Sequence, residues 1–166
     1  MKRLTSILFV LALMPALGLA QASDYSKGYG YAYFAPGASS PSNPSSEAYA
    51  HLGAGGEGFF TRNLGAGVEL GYLTPMRSWS DGVGTLSPSL VVRFRAMDKN
   101  HKAEPFVTGG YTLFFRSATA SGVNFGGGVN YWFNDNVGLR LEVRDNVWTL
   151  NTTIHYVDFR VGVTFR

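Results

Sequence analysis

The stretch "VGLRLEVRD" (137–145) has a period of two, and runs of the same kind recur down the chain. Val137, Leu139, Leu141 and Val143 point one way in an extended backbone, and Gly138, Arg140, Glu142 and Arg144 point the other. The final stretch "HYVDFRVGVTFR" repeats the pattern. Val157, Phe159, Val161, Val163 and Phe165 share one face; Tyr156, Asp158, Arg160, Gly162 and Thr164 share the opposite one. A period of two sustained over so many residues is the strand period, and no segment combines helical periodicity with helix caps. The chain is therefore expected to be all-β.

The same reading gives eight strands, at 28–34, 48–60, 65–73, 85–95, 104–115, 122–133, 137–147 and 154–166. Short connections fall at "TRNL" and "NDN". Long ones are expected at "APGASSPSNPSSE" (35–47) and "TPMRSWSDGVG" (74–84). Aromatic residues gather near strand ends: Tyr33 and Phe34, Phe59 and Phe60, Phe114 and Phe115, Tyr131 to Phe133. These groups are expected to form interfacial girdles.

One stretch points elsewhere. "GAGGEG" (53–58) fits G-x-G-x-x-G, the dinucleotide-binding fingerprint. That fingerprint works only where a strand hands over to a helix whose N-terminus holds a pyrophosphate. Here "FFTRNLGAGVELGY" follows, glycine-rich and alternating, so no helix opens and no nucleotide site is expected. The glycines instead suit the inner wall of a narrow barrel. Gly53, Gly55, Gly67, Gly71, Gly110, Gly126 and Gly128 all fall on the polar side of their strands, leaving room for large neighbours.

The chain opens "MKRLTSILFVLALMPALGLAQASDY": a basic head, an apolar run and a small-x-small end. This reads as a signal peptide over 1–22, cut after Ala22 with Ala20 as the alternative, followed by one β-barrel domain over 23–166. Removing Lys2 and Arg3 lowers the formal charge from +3 to +1, so the basic pI does not argue for nucleic acid. With no cysteine in the sequence, a disulfide framework and thiolate metal sites are excluded. His51, His101 and His155 are the only histidines and have no ligand spacing, so no metal and no cofactor are expected.

Alternation alone fits a soluble barrel as well as a membrane one. Strand lengths near the 9–11 residues of a tilted membrane strand, aromatic strand ends and long connections on one side favour the membrane. The signal peptide, the eight strands and a last strand ending in Phe165 resemble the small outer-membrane β-barrels of the OmpA/OmpX-like superfamily. So do the phrases "PFVTGGYTLFFR", "NFGGGVNYWF" and "GLRLEVRD". The resemblance implies an eight-stranded antiparallel up-and-down transmembrane β-barrel in the outer membrane, with both termini periplasmic. It implies outer-membrane lipid and the barrel-insertion machinery as partners, with Phe165 as the assembly signal.

The polar face then lines the lumen. Its charges, Glu57, Glu69, Arg93, Arg95, Arg140, Glu142, Arg144, Asp158 and Arg160, are expected to form an ion-pair network that plugs it. The function expected is a structural or surface-interaction role through the loops, as a monomer, with no catalytic residue. Three alternatives stand beside it: a narrow channel, a soluble periplasmic lipocalin-like carrier, and an outer-membrane lipid-modifying enzyme.

Overall fold

The computed structural model describes residues 28–40, 47–94, 102–116, 119–149 and 153–166. The signal-peptide reading, Arg95 and His101 therefore lie outside the described residues. Eight strands follow in order: β1 (Tyr29–Ser40), β2 (Glu47–Phe59), β3 (Leu64–Pro75), β4 (Val83–Arg93), β5 (Ala103–Phe115), β6 (Thr119–Trp132), β7 (Val137–Thr149) and β8 (Thr153–Phe165). Each pairs antiparallel with the next, and β1 pairs with β8, closing an up-and-down barrel with no free edge. Closure leaves no strand with an open edge, the condition for standing in hydrocarbon.

The two short connections are held by their own side chains. In the β2–β3 turn, Thr61 Oγ1 accepts from the amides of Asn63 and Leu64, at 3.3 and 3.0 Å. In the β6–β7 turn, Asn134 Oδ1 accepts from the amides of Asn136 and Val137, at 2.9 and 2.8 Å. Both are local side-chain turns of the kind Thr and Asn favour. The longer β3–β4 connection carries a 3-10 turn, Trp79–Asp81. There the Ser78 hydroxyl, and secondarily Arg116, hold the exposed Asp81 carboxyl below its ordinary pKa range.

Two expectations need correction. The first strand does not stop near residue 34. It runs on to Ser40, so the connection expected over 35–47 shrinks to 41–46. Pairing explains this, since Pro36 to Ser39 stay in register with Ala50 to Glu47 on β2. On the β8 side the register skips Ala35 and Pro36, between Phe34↔Val161 and Gly37↔Asp158. Proline has no amide hydrogen to give, so the ladder opens there instead of the strand ending. β4 repeats the device, with its register to β5 skipping Ser87 and Pro88.

The second correction concerns the aromatic girdles. Neighbours on a strand face opposite sides, so each adjacent pair splits. Phe34, Phe60, Phe115, Tyr131 and Phe133 face out, while Tyr33, Phe59, Phe114 and Trp132 turn in and are buried. The inward ones fill the two ends of the interior. Tyr29, Tyr31, Tyr33, Phe59, Val91, Phe106 and Trp132 pack toward the end that holds the termini. Tyr49, Leu73 and Phe114 pack toward the opposite, loop end, with Val83, Ala120 and Tyr156 against them. The outer wall is apolar: Leu70, Leu90, Phe125, Phe159, Val161 and Val163 are each at least half exposed.

Candidate functional site

Between the two aromatic layers the interior is charged. Arg140, Glu142 and Arg144 alternate along β7 and so all project inward, where each is almost fully buried. Glu142 sits between its neighbours: Arg140 Nε donates to Oε2 at 3.0 Å, and Arg144 Nε donates to Oε1. Arg140 Nη2 also reaches Glu57 Oε1 on β2 at 2.8 Å.

Across the lumen, Glu69 on β3 gathers four donors. Arg160 Nη1 from β8 meets both carboxylate oxygens at 2.9 Å, and Arg144 Nη1 lies 3.3 Å from Oε2. From β1, Tyr33 donates to Oε1 at 2.7 Å and Tyr31 to Oε2 at 3.0 Å. Arg160 continues the chain, with Nη2 2.9 Å from Asp158 Oδ2. Asp158 in turn accepts from Tyr49 at 2.7 Å and faces His51 Nδ1 at 2.9 Å. Since a carboxylate only accepts, Nδ1 carries the hydrogen in that contact. Alternating charges thus run Glu57–Arg140–Glu142–Arg144–Glu69–Arg160–Asp158, drawn from β2, β7, β3 and β8.

Aromatic faces hold the guanidinium groups from the side. Arg140 lies over Tyr31 at 4.2 Å and over Phe106 at 4.0 Å, and Arg160 over Tyr33 at 4.4 Å. A planar, weakly hydrated cation suits such a site better than an ammonium. Two glycines make the space. A Cβ on Gly71 would stand 2.5 Å from His51 Nε2, and one on Gly55 would stand 2.8 Å from the Tyr31 hydroxyl. A neutral hydroxyl and amide net lies beside the charges: Asn124 donates to Thr112, Ser87 pairs with Thr112, and Thr112 donates to Asn146.

Of the charges expected in the lumen, Glu57, Glu69, Arg140, Glu142, Arg144, Asp158 and Arg160 come together. Arg93 does not join them. It stands at the terminal end over Phe59, 3.6 Å from the ring centre, with Glu104 at 3.8 Å. Glu104, His51 and the tyrosines at 31, 33 and 49 were missed as members of the interior set. Their parity was a usable signal: His51 alternates with Ala50 and Leu52, and Glu104 shares its face with Thr108 and Thr112. Phe165 lies on the outer wall, its ring over Gly30 of β1, across the seam between first and last strands. Among the described residues no group of three or more His, Asp or Glu could hold a metal.

A closed eight-strand barrel with a polar interior and an apolar outer wall is the form a membrane barrel takes. The family described as "Outer membrane protein beta-barrel domain" matches residues 9–166. The chain belongs to that family. Solved structures agree in fold. Neisserial surface protein A superposes with a TM-score of 0.68 at 18% identity, covering 83% of this chain and 96% of its own. The N-terminal β-barrel domain of Pseudomonas aeruginosa OprF gives 0.56 at 15%, covering 84% and 100%. Ail of Yersinia pestis, in complex with the heparin analogue sucrose octasulfate, gives 0.53 at 11%, covering 84% and 99%. No curated protein matches the chain in sequence. Family and fold together place this transmembrane barrel in the outer membrane.

Proposed function

We propose that the barrel is a closed, non-catalytic outer-membrane protein, with a structural or surface-interaction role and a lumen plugged by its own charged side chains. One observation carries the reading: Glu69 draws Arg144, Arg160, Tyr31 and Tyr33 from three other strands to one point in the interior. In a barrel of eight strands such a knot, capped by aromatic layers, leaves side chains where a water path would run. The charges are mutually paired, which suits a filled interior more than an ion filter.

The remaining expectations extend the same proposal. The segment 1–22 acts as an export signal cut after Ala22 or Ala20, both termini are periplasmic, and the barrel is monomeric. The insertion machinery reads Phe165. Surface interaction falls to the loop end, where Met76, Trp79 and Arg116 are exposed.

Conductance tests the plug. The purified full chain, reconstituted in a planar bilayer, is expected to give no steady ion-selective openings. Stable openings whose selectivity shifts in Glu142→Ala, with folding intact, would make these residues the lining of a pore and end the plug reading.

A further inference from the structure

The β3–β4 connection leans outward. Tyr72 and Thr74 share outward parity with Leu70 on β3. Thr74 is nevertheless fully buried, and its hydroxyl donates to the Ser78 carbonyl at 3.1 Å. Tyr72 donates to the Trp79 carbonyl at 2.7 Å, and a Cβ on Gly82 would enter its ring. Both bonds start from the outer face, so the backbone at Ser78 and Trp79 lies against the outside of the wall. Met76 continues the pairing with β2, its amide 3.1 Å from the Ala48 carbonyl, and keeps the outward parity.

Depth gives the turn its setting. Leu64, Val68 and Leu70 are exposed on the outer wall, and Thr74 stands ten residues beyond Leu64 on the same face. At roughly 3.3 Å each and a tilt of about 40°, that is about 25 Å of height, the apolar band of an outer-membrane barrel. The turn therefore stands at the loop-side margin of the band, where head groups begin. Its backbone is satisfied from within the protein. The carbonyls of Ser78 and Trp79 are bound from β3, and those of Ser80 and Asp81 each accept from Arg116, beyond β5, at 3.1 Å. The amides of Met76, Ser78 and Asp81 are bonded as well, to the carbonyls of Ala48, Pro75 and Ser78. A turn in open water can leave such groups to solvent, whereas one that meets lipid has to pair them internally. Met76 and Trp79 are nevertheless 42% and 55% exposed.

We infer that this turn is a membrane-contacting foot: Met76 and Trp79 rest in the head-group layer of the leaflet at the loop end, held there by Tyr72, Thr74 and Arg116. An indole combines an apolar body with one N–H, which suits the boundary between acyl chains and head groups. The partner of this part of the loop end is thus the lipid surface around the barrel, not a soluble protein. The inference rests on the surface-interaction reading and names its partner at this turn. A closed or an open lumen leaves it untouched.

The test is depth-dependent quenching of Trp79 in the full chain, folded in phosphatidylcholine vesicles. Trp132→Phe and Trp148→Phe leave it the sole indole, and neither nitrogen removed has a hydrogen-bond partner among the described residues. Separate vesicles carry lipid brominated near the head-group end of the acyl chain or near its terminal methyl, and iodide serves as the aqueous quencher. Shallow bromine is expected to quench most, with iodide quenching well below that of free tryptophan amide. Tyr72→Phe together with Thr74→Val deletes two of the bonds that hold the turn, and is expected to raise iodide quenching and lower bromine quenching. A second probe keeps all three tryptophans: a nitroxide on Met76→Cys is expected to meet dissolved oxygen more often than a water-soluble nickel complex. Unheated gel mobility shows whether each variant is folded. Iodide quenching of Trp79 equal to that of the free amide, with no bromine effect, would put the turn in water, open to a soluble partner, and overturn the proposal. So would a Met76→Cys nitroxide as open to nickel as one on Ser80→Cys, or a folded Tyr72→Phe, Thr74→Val chain that quenches like its parent.

Discussion

Glu69 shows how much one side chain holds. Its two oxygens accept from two arginines and two tyrosines, and it is almost fully buried. Removing it strands Arg144 and Arg160 in the interior, each with one carboxylate fewer. Breaking a buried pair by deleting one partner costs about 3–5 kcal/mol. Glu69→Ala is therefore expected to lower the urea unfolding midpoint sharply, while Ser80→Ala, in the exposed loop, leaves it in place. Equal midpoints in the two variants would show that the interior charges carry little of the stability. The sequence told which face Glu69 occupies, because parity along a strand is local. It did not tell that Glu69 would meet Arg160 rather than Arg93, because that depends on the relative register of strands far apart in the chain. Arg93 is separated by depth: it lies at the terminal end of β4, near Arg62, whose carbonyl accepts from its Nε at 2.8 Å.

At the scale of the element, β7 sets a lipid-facing stretch directly against a charged one. Leu141 and Val143 face lipid, and Glu142 and Arg144 face the interior. Leu141→Arg is expected to cost about 2–4 kcal/mol in a reversible folding titration, the penalty of a cation near the midplane. Leu141→Ala serves as the size control and should cost clearly less; parity between the two would argue against the assigned facing. β8 makes a second expectation. Phe165 covers Gly30 across the closing seam, and a proposed assembly role falls on the same ring. Phe165→Ala is expected to lower the amount of inserted barrel in cells. An unchanged outer-membrane level would remove both roles. Strand existence was legible wherever large apolar residues alternate with polar ones. The end of β1 was not, because Ala35, Pro36, Gly37, Ala38 and Ser39 read locally as a turn. What keeps them extended is pairing with β2, a tertiary effect that overrides local preference.

At the scale of the whole molecule, the barrel places apolar side chains outside and polar ones inside, the reverse of a water-soluble protein. Alternation therefore announced a barrel without announcing its solvent. The family match and the apolar outer wall supply that. The interior is layered: aromatic at the terminal end around the Arg93–Glu104 pair, charged in the middle, aromatic at the loop end. On the proposed plug reading, the interior excludes reagents as well as ions. The chain has no cysteine, so a single introduced thiol reports without background. Thr112 is fully buried in the interior, one inward position below Phe114 of the loop-end layer, and is tied to Ser87, Asn124 and Asn146. Thr112→Cys in the folded barrel is expected to resist a charged, water-soluble thiol reagent applied from either side. It should react fully after unfolding, and Ser80→Cys at the loop surface should react at once. If the folded Thr112→Cys variant were instead modified at a rate near that of Ser80→Cys, the lumen would be open to water and the account of a closed barrel would be contradicted.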